Sequence, residues 1–146
     1  MSLIESIKVN EGFRANIYQC TAGVDTIGYG FNVNYLEEDE LALNNGVVEP
    51  MTPEAAHKIL ELKLEKLKAA LIREFSWVEQ KPVIVQEALL DMAYQLGIPK
   101  MKSFSQTLTY IKEDNYQQAA INLRKSKWAK QTPKRVENLI RSLQNA

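Results

Sequence analysis

The sequence predicts an α+β fold that is mainly α, with one small antiparallel sheet near the N-terminus, and three observations predict it. β-Branched, aromatic and glycine residues crowd the interval from Ile17 to Phe31. From Ala56 to Phe75, apolar residues recur mostly three and four apart without an intervening Pro or Gly. Beyond Pro82 a series of helix starts and stops runs to the C-terminus. The chain has 146 residues, 45% hydrophobic and 25% charged, which fits one globular domain and excludes a disordered chain, a collagen-like repeat or a coiled-coil rod.

Taken in order, Leu3, Ile4 and Ile7 fall at helical spacing behind Ser2 as an N-cap, and Gly12 ends that helix close to Glu11. Ile17–Cys20 and Thr26–Phe31 then flank a Thr21-Ala22-Gly23 turn signal, which reads as a hairpin continuing into a third short strand. The run Glu37-Glu38-Asp39-Glu40 suits either the first turn of a short helix or a solvated face. Thr52-Pro53-Glu54 opens a helix of some 25 residues, long enough to be a spine joining an N-terminal hairpin lobe to a helical C-terminal lobe. Val85, Ala88, Leu89, Met92, Ala93 and Leu96 make the most apolar helix, the expected core, closed by Gly97 and followed by Pro99. Three shorter helices follow: Ser103 to about Lys112, Asn115 to about Arg124, and a last one opened by Thr132-Pro133.

Total charge is balanced, 18 basic against 18 acidic residues, but its placement is not. Residues 1–99 carry 8 Lys and Arg against 15 Asp and Glu, whereas residues 100–146 carry 10 against 3. A basic C-terminal third suits a polyanionic partner such as nucleic acid, an anionic membrane surface or an acidic cell-wall polymer, or simply solvates helix faces. One cysteine allows no internal disulfide, so stability must come from the core. No stretch reaches the roughly 18–20 apolar residues of a membrane span, and the N-terminus lacks the layout of an export signal. These features lead us to expect a soluble protein without stable membrane insertion.

Glu11 lies at the end of the first helix, a few residues before the glycine-rich hairpin, where a carboxyl could stand at the mouth of a cleft. From Glu11 to Gly30 the chain reads E-G-F-R-A-N-I-Y-Q-C-T-A-G-V-D-T-I-G-Y-G. This resembles the T-even-phage type of lysozyme, the muramidases of glycoside hydrolase family 24, whose pattern is E-G-x-R followed by Y-x-D-x-x-G-x-x-T-I-G-x-G at the same spacing. Ala88–Gly97 and Ser103–Leu108 are similar to the family's core helix and the helix after it, and Ala119–Leu123 with Ser126–Arg135 to its C-terminal signature. The resemblance implies a two-lobed lysozyme-like fold within one domain, 1–146, with a sugar cleft between the lobes. About 12–52 would form the hairpin lobe, about 53–80 the linking helix and about 81–146 the helical lobe, on which helix 2–11 would pack.

The activity implied is hydrolysis of the β-1,4 bond between N-acetylmuramic acid and N-acetylglucosamine in bacterial peptidoglycan, with inversion. Glu11 matches the family's general acid, Thr26 the threonine that helps place the attacking water, and Arg135 an arginine facing the catalytic glutamate. In inverting enzymes the two carboxyls stand roughly 6.5–9.5 Å apart to admit that water. Substrate-binding positions of the family map by position onto Asn32, Tyr94, Thr107 and Asn122; Gln95 and Gln131 are candidate amide contacts. Tyr94 suits stacking on the apolar face of a sugar.

The departure is at position 20, where Cys20 stands in place of the family's aspartate. A thiol with an ordinary pKa of about 8.5 is mostly neutral at pH 7. Three readings stay open: Cys20 works as a thiolate, Glu11 and Thr26 suffice without it, or the cleft only binds glycan as a catalytically impaired homologue. Asp25 is a poor substitute, since strand alternation points it away from the face of Thr26. Phe31 and Asn10 are lesser departures, standing where the family often has His and Asp. A nucleic-acid partner would rest only on the basicity around Arg124–Arg135, with no binding motif, and we expect none. Neither a cofactor nor a metal is implied. The resemblance further implies a monomer located in the host cytoplasm, a phage endolysin that reaches the wall after a holin-type membrane protein opens the inner membrane.

Overall fold

The computed structural model describes residues 2–146, which divide into two compact units: one ends at Lys66 and the other runs from Leu67 to Ala146. The first unit opens with α1 (Leu3–Glu11), capped as the sequence predicts. The Ser2 hydroxyl accepts from the Glu5 N–H, and the Glu5 carboxylate accepts from the Ser2 N–H in return. Gly12, at φ 70°, ends the helix.

The sheet has order β1-β2-β3, with β1 (Arg14–Gln19), β2 (Asp25–Gly28) and β3 (Phe31–Asn32), all antiparallel. Strand β1 starts three residues before the predicted Ile17, because a bulge between Arg14 and Tyr18 breaks the alternation that sequence reasoning follows. Its outer edge is covered by the chain at 49–51: the Ile17 N–H donates to Glu49 Oε2 at 2.9 Å and the Met51 N–H to the Ala15 carbonyl at 2.8 Å. The register sets Tyr18, Thr26 and Asn32 directly opposite one another across the three strands. A 3-10 turn, Val33–Tyr35, leads from β3 to α2 (Glu38–Ala42).

Both readings of the acidic run hold in part. Glu38, Asp39 and Glu40 fill the first turn of α2, but Glu40 is only 1% exposed. Its carboxylate accepts from the Glu37 N–H and pairs with Lys63 at 3.1 Å and Lys66 at 3.4 Å. Burial alone would raise the Glu40 carboxyl pKa; the Glu37 N–H and the two lysines outweigh it and hold the group below the usual glutamate range.

Helix α3 (Pro53–Glu74) is the long helix expected, 22 residues, with the Thr52 hydroxyl accepting from the Ala55 N–H at its start. Ala55, Ala56, Ile59 and Leu60 are buried in its first half and Leu71 near its end, with Leu64 and Leu67 half-buried between them. His57, on the exposed side, meets Glu61 one turn on, at 3.3 Å.

In the second unit α4 (Val83–Leu96) is the core helix: Val85, Leu89 and Met92 are fully buried, with Ala88 and Ala93 nearly so. It packs on α9 (Pro133–Gln144), which also packs on α7 (Tyr116–Arg124), while α6 (Ser105–Lys112) lies against α7. The region after α4 holds more helix than the three segments predicted. Gly97 does end α4, yet α5 (Ile98–Lys102) begins at once with Pro99 in its first turn, where a proline starts a helix as readily as it stops one. A further short helix, α8 (Lys127–Gln131), is capped by the Ser126 hydroxyl and buries Trp128 against the edge of Phe104. Among the described residues, no helix is long and apolar enough to cross a membrane.

Candidate active site

In the first unit, the end of α1 places the Glu11 carboxyl against the β2–β3 turn. Gly30 has φ 76°, and a Cβ on it would stand 2.5 Å from Glu11 Oε2. Only glycine therefore meets both the backbone conformation and the closeness of the carboxyl there. Glu11 is half-buried, so it is neither a freely solvated surface acid nor a sealed one.

Cys20 occupies the turn between β1 and β2. Its N–H donates to the Val24 carbonyl at 3.1 Å and its carbonyl accepts from the Gly23 N–H at 2.8 Å, which closes a tight turn. The backbone N–H groups of Val24 and Ala22 lower the thiol pKa below its ordinary value, with burial opposing them and the Thr26 side chain adding a lesser lowering influence. Thr26 is 5% exposed, and its hydroxyl also donates to the Val24 carbonyl at 2.8 Å. The Cys20 N–H and the Thr26 hydroxyl thus converge on the Val24 carbonyl, which ties the two residues into one cluster. Asn32, opposite Thr26 in the register, caps the 3-10 turn by accepting from the Asn34 N–H at 2.9 Å.

The remaining predicted positions lie in the second unit. Tyr94 and Gln95 sit near the end of α4, both half-buried, and Arg135 is in the first turn of α9. Thr107 is fully buried and donates its hydroxyl to Asn122 Oδ1, so it holds Asn122 instead of facing solvent. Asn122 is left with its Nδ2 hydrogens to offer. Gln131 is exposed at the end of α8. Among the described residues, no group of three or more His, Cys, Asp or Glu side chains could hold a metal ion.

The family model for phage lysozyme matches residues 8–145. The chain belongs to the phage lysozyme family. It is similar to two proteins of Dictyostelium discoideum that carry the name "Probable T4-type lysozyme". One is 28% identical over 155 aligned residues, covering 95% of this chain and 91% of that protein. The other is 24% identical over 160 residues with the same coverage. Membership in the phage lysozyme family gives the chain a lysozyme-like function and makes Glu11 and the Cys20–Thr26 cluster the natural candidates for its chemistry.

Two features of the sites escaped sequence reasoning. Gly30 is legible as part of a glycine-rich turn, but its closeness to Glu11 depends on tertiary packing. Asp91, an acid within the most apolar helix and four residues before Gln95, is the other; the signal was that spacing.

Proposed function

We propose that this protein hydrolyses the β-1,4 bond between N-acetylmuramic acid and N-acetylglucosamine in bacterial peptidoglycan, inverting the anomeric carbon. The observation that carries this reading is the turn around Cys20, whose Val24 and Ala22 N–H groups lower the thiol pKa at the position of the family's aspartate. Glu11, protonated, donates its proton to the leaving glycosidic oxygen. A water molecule attacks the anomeric carbon from the opposite face, oriented by the Thr26 hydroxyl. The Cys20 thiolate accepts the proton that water loses and stabilises the positive charge developing on the sugar. The leaving sugar gains a hydroxyl, the attacked sugar gains the oxygen of water, and proton exchange with solvent resets both side chains.

In the same reading, Asn32, Tyr94, Gln95, Asn122 and Arg135 bind glycan, and Thr107 acts through Asn122. The Tyr94 ring stacks on a sugar face while the amides meet hydroxyl and acetamido groups. The role is that of an endolysin, made in the host cytoplasm as a monomer and acting on the wall once a holin-type protein has opened the inner membrane. The test is release of reducing ends from purified peptidoglycan by the native protein and by Glu11→Gln. Release by the former and not the latter supports the muramidase. Binding without release by the native protein, with release restored in Cys20→Asp, would instead make it a glycan-binding lysozyme homologue.

A further inference from the structure

Asp91 is the one acid in the run from Ala88 to Leu96 and lies half-buried on α4. Gln95 follows one turn later on the same face, close enough for its side-chain amide to lower the Asp91 carboxyl pKa by hydrogen bonding. Burial pushes the Asp91 carboxyl pKa up, while that hydrogen bond and the charge of Arg135, from α9, favour its ionised form. An ionised carboxylate only accepts, so the amide must give it Nε2. The other end of the amide is the unusual feature: Gln95 Oε1 is buried and has no hydrogen-bond partner, a state that is rare in folded proteins and calls for a reason. Its lack of a donor also means that Asp91 is not placed to pass a proton to it.

We propose that Asp91 is a positioning residue for glycan binding: it holds Gln95 with its nitrogen inward and so reserves the Gln95 carbonyl oxygen for an N–H or O–H of the bound sugar, an acetamido N–H or a ring hydroxyl. The inference rests on the muramidase reading and deepens it, since nothing in the family pattern used above gives position 91 a role. Because Oε1 is already out of water, a ligand donor forms its bond there without displacing a solvent hydrogen bond. The proposal requires the groups that cover Oε1 to shift as the sugar binds, a change common where ligands and partners bind. Carboxylate is the right lock. An amide at position 91 both donates and accepts, so it would let Gln95 turn over and present nitrogen in place of oxygen.

The experiment measures KM and kcat for release of reducing ends from solubilised, uncross-linked peptidoglycan strands, using the native protein, Asp91→Asn, Gln95→Met and the double variant. Melting temperatures confirm that each is folded, and Asp91→Ser replaces Asp91→Asn if the latter is not. Loss of one neutral hydrogen bond corresponds to up to about tenfold in affinity. We expect Gln95→Met to raise KM about tenfold, Asp91→Asn to raise it several-fold, kcat to stay within about twofold, and the double variant to be no worse than Gln95→Met alone. An unchanged KM in Asp91→Asn, a double variant whose KM rises by the product of the single effects, or a loss confined to kcat would overturn the proposal. If the native protein releases no reducing ends, the muramidase reading fails instead. Calorimetric titration of the same strands into the four proteins then decides the role of Asp91 by the same order of dissociation constants.

Discussion

The turn around Cys20 and the helix α4 are built by opposite means. The turn keeps its shape through backbone hydrogen bonds, Cys20 to Val24 and Gly23 to Cys20, and Cys20 is only half-buried in it. Helix α4 keeps its shape by burial: Leu89 and Met92 are 0% exposed. A carboxyl or thiol that must exchange protons with substrate needs polar neighbours and some access to water, whereas stability grows with apolar area removed from water. The two demands fall on different residues, so substitutions at the Cys20 turn should change activity at nearly constant stability, and substitutions at the fully buried apolar positions of α4, Leu89 and Met92, the reverse.

The largest expected effect is on the side of activity. Glu11→Gln keeps the shape of the side chain but removes the proton, and should lower reducing-end release by roughly 10²–10⁴-fold, the usual contribution of a general acid. Its melting temperature should stay close to the native value; a large drop would mean that Glu11 also carries structure and would blur the contrast. On the other side, Leu89→Ala should cost about 2–5 kcal/mol of unfolding free energy through the cavity it leaves. Chemical denaturation measures this, and the folded fraction should keep its specific activity.

Glu40 sharpens the contrast inside the first unit, because it is buried yet charged. Glu40→Ala removes the partner of Lys63 and Lys66 and an acceptor for the Glu37 N–H, and should cost about 3 kcal/mol, the lower end for breaking a buried pair, since both lysines keep some contact with water. With its folded pKa below the unfolded value of about 4.3, Glu40 stabilises the fold above that pH. The contribution fades as pH falls through the lower folded value, so the gap in stability between native protein and variant should narrow in acid. Gly30→Ala sits where the two regimes meet, and should cost about 1–3 kcal/mol for its positive φ while also disturbing Glu11. Equal activity per folded molecule in that variant would show that the Gly30 contact does not hold the carboxyl. The smallest effect is a titration: alkylation of Cys20 by iodoacetamide should follow a midpoint below the ordinary thiol value of about 8.5, and Thr26→Val should move it upward.

Helices were legible from sequence wherever periodicity and caps agreed. Ser2, Gly12, Thr52 and Gly97 mark real ends, and the core positions of α4 are those its apolar spacing gives. What escaped was short or dependent on contacts distant in sequence. Helices α5 and α8 have five residues each, too few for a period to show. The bulge in β1 hides its first residues, and the burial of Glu40 depends on lysines more than twenty positions away. At the candidate site the residue types were readable, because motifs keep their spacing in sequence. The local chemistry was not: the N–H groups that lower the Cys20 thiol pKa, the burial of Thr107 behind Asn122 and the unpaired oxygen of Gln95 exist only once the chain is folded.

The central claim is that a cysteine performs an aspartate's work because its turn favours the thiolate. The most direct measurement is the rate of reducing-end release from purified peptidoglycan across pH for the native protein, Cys20→Ser and Cys20→Asp, with melting temperatures taken beside it. A serine hydroxyl fills nearly the same space but does not ionise in this range, so Cys20→Ser should melt like the native protein and lose at least about tenfold in rate, a modest share of what acid–base groups supply. Cys20→Asp should keep its activity to lower pH than the native protein, whose rate should fall as the thiolate is protonated. Full activity in Cys20→Ser, with the same pH profile as the native protein, would contradict the account.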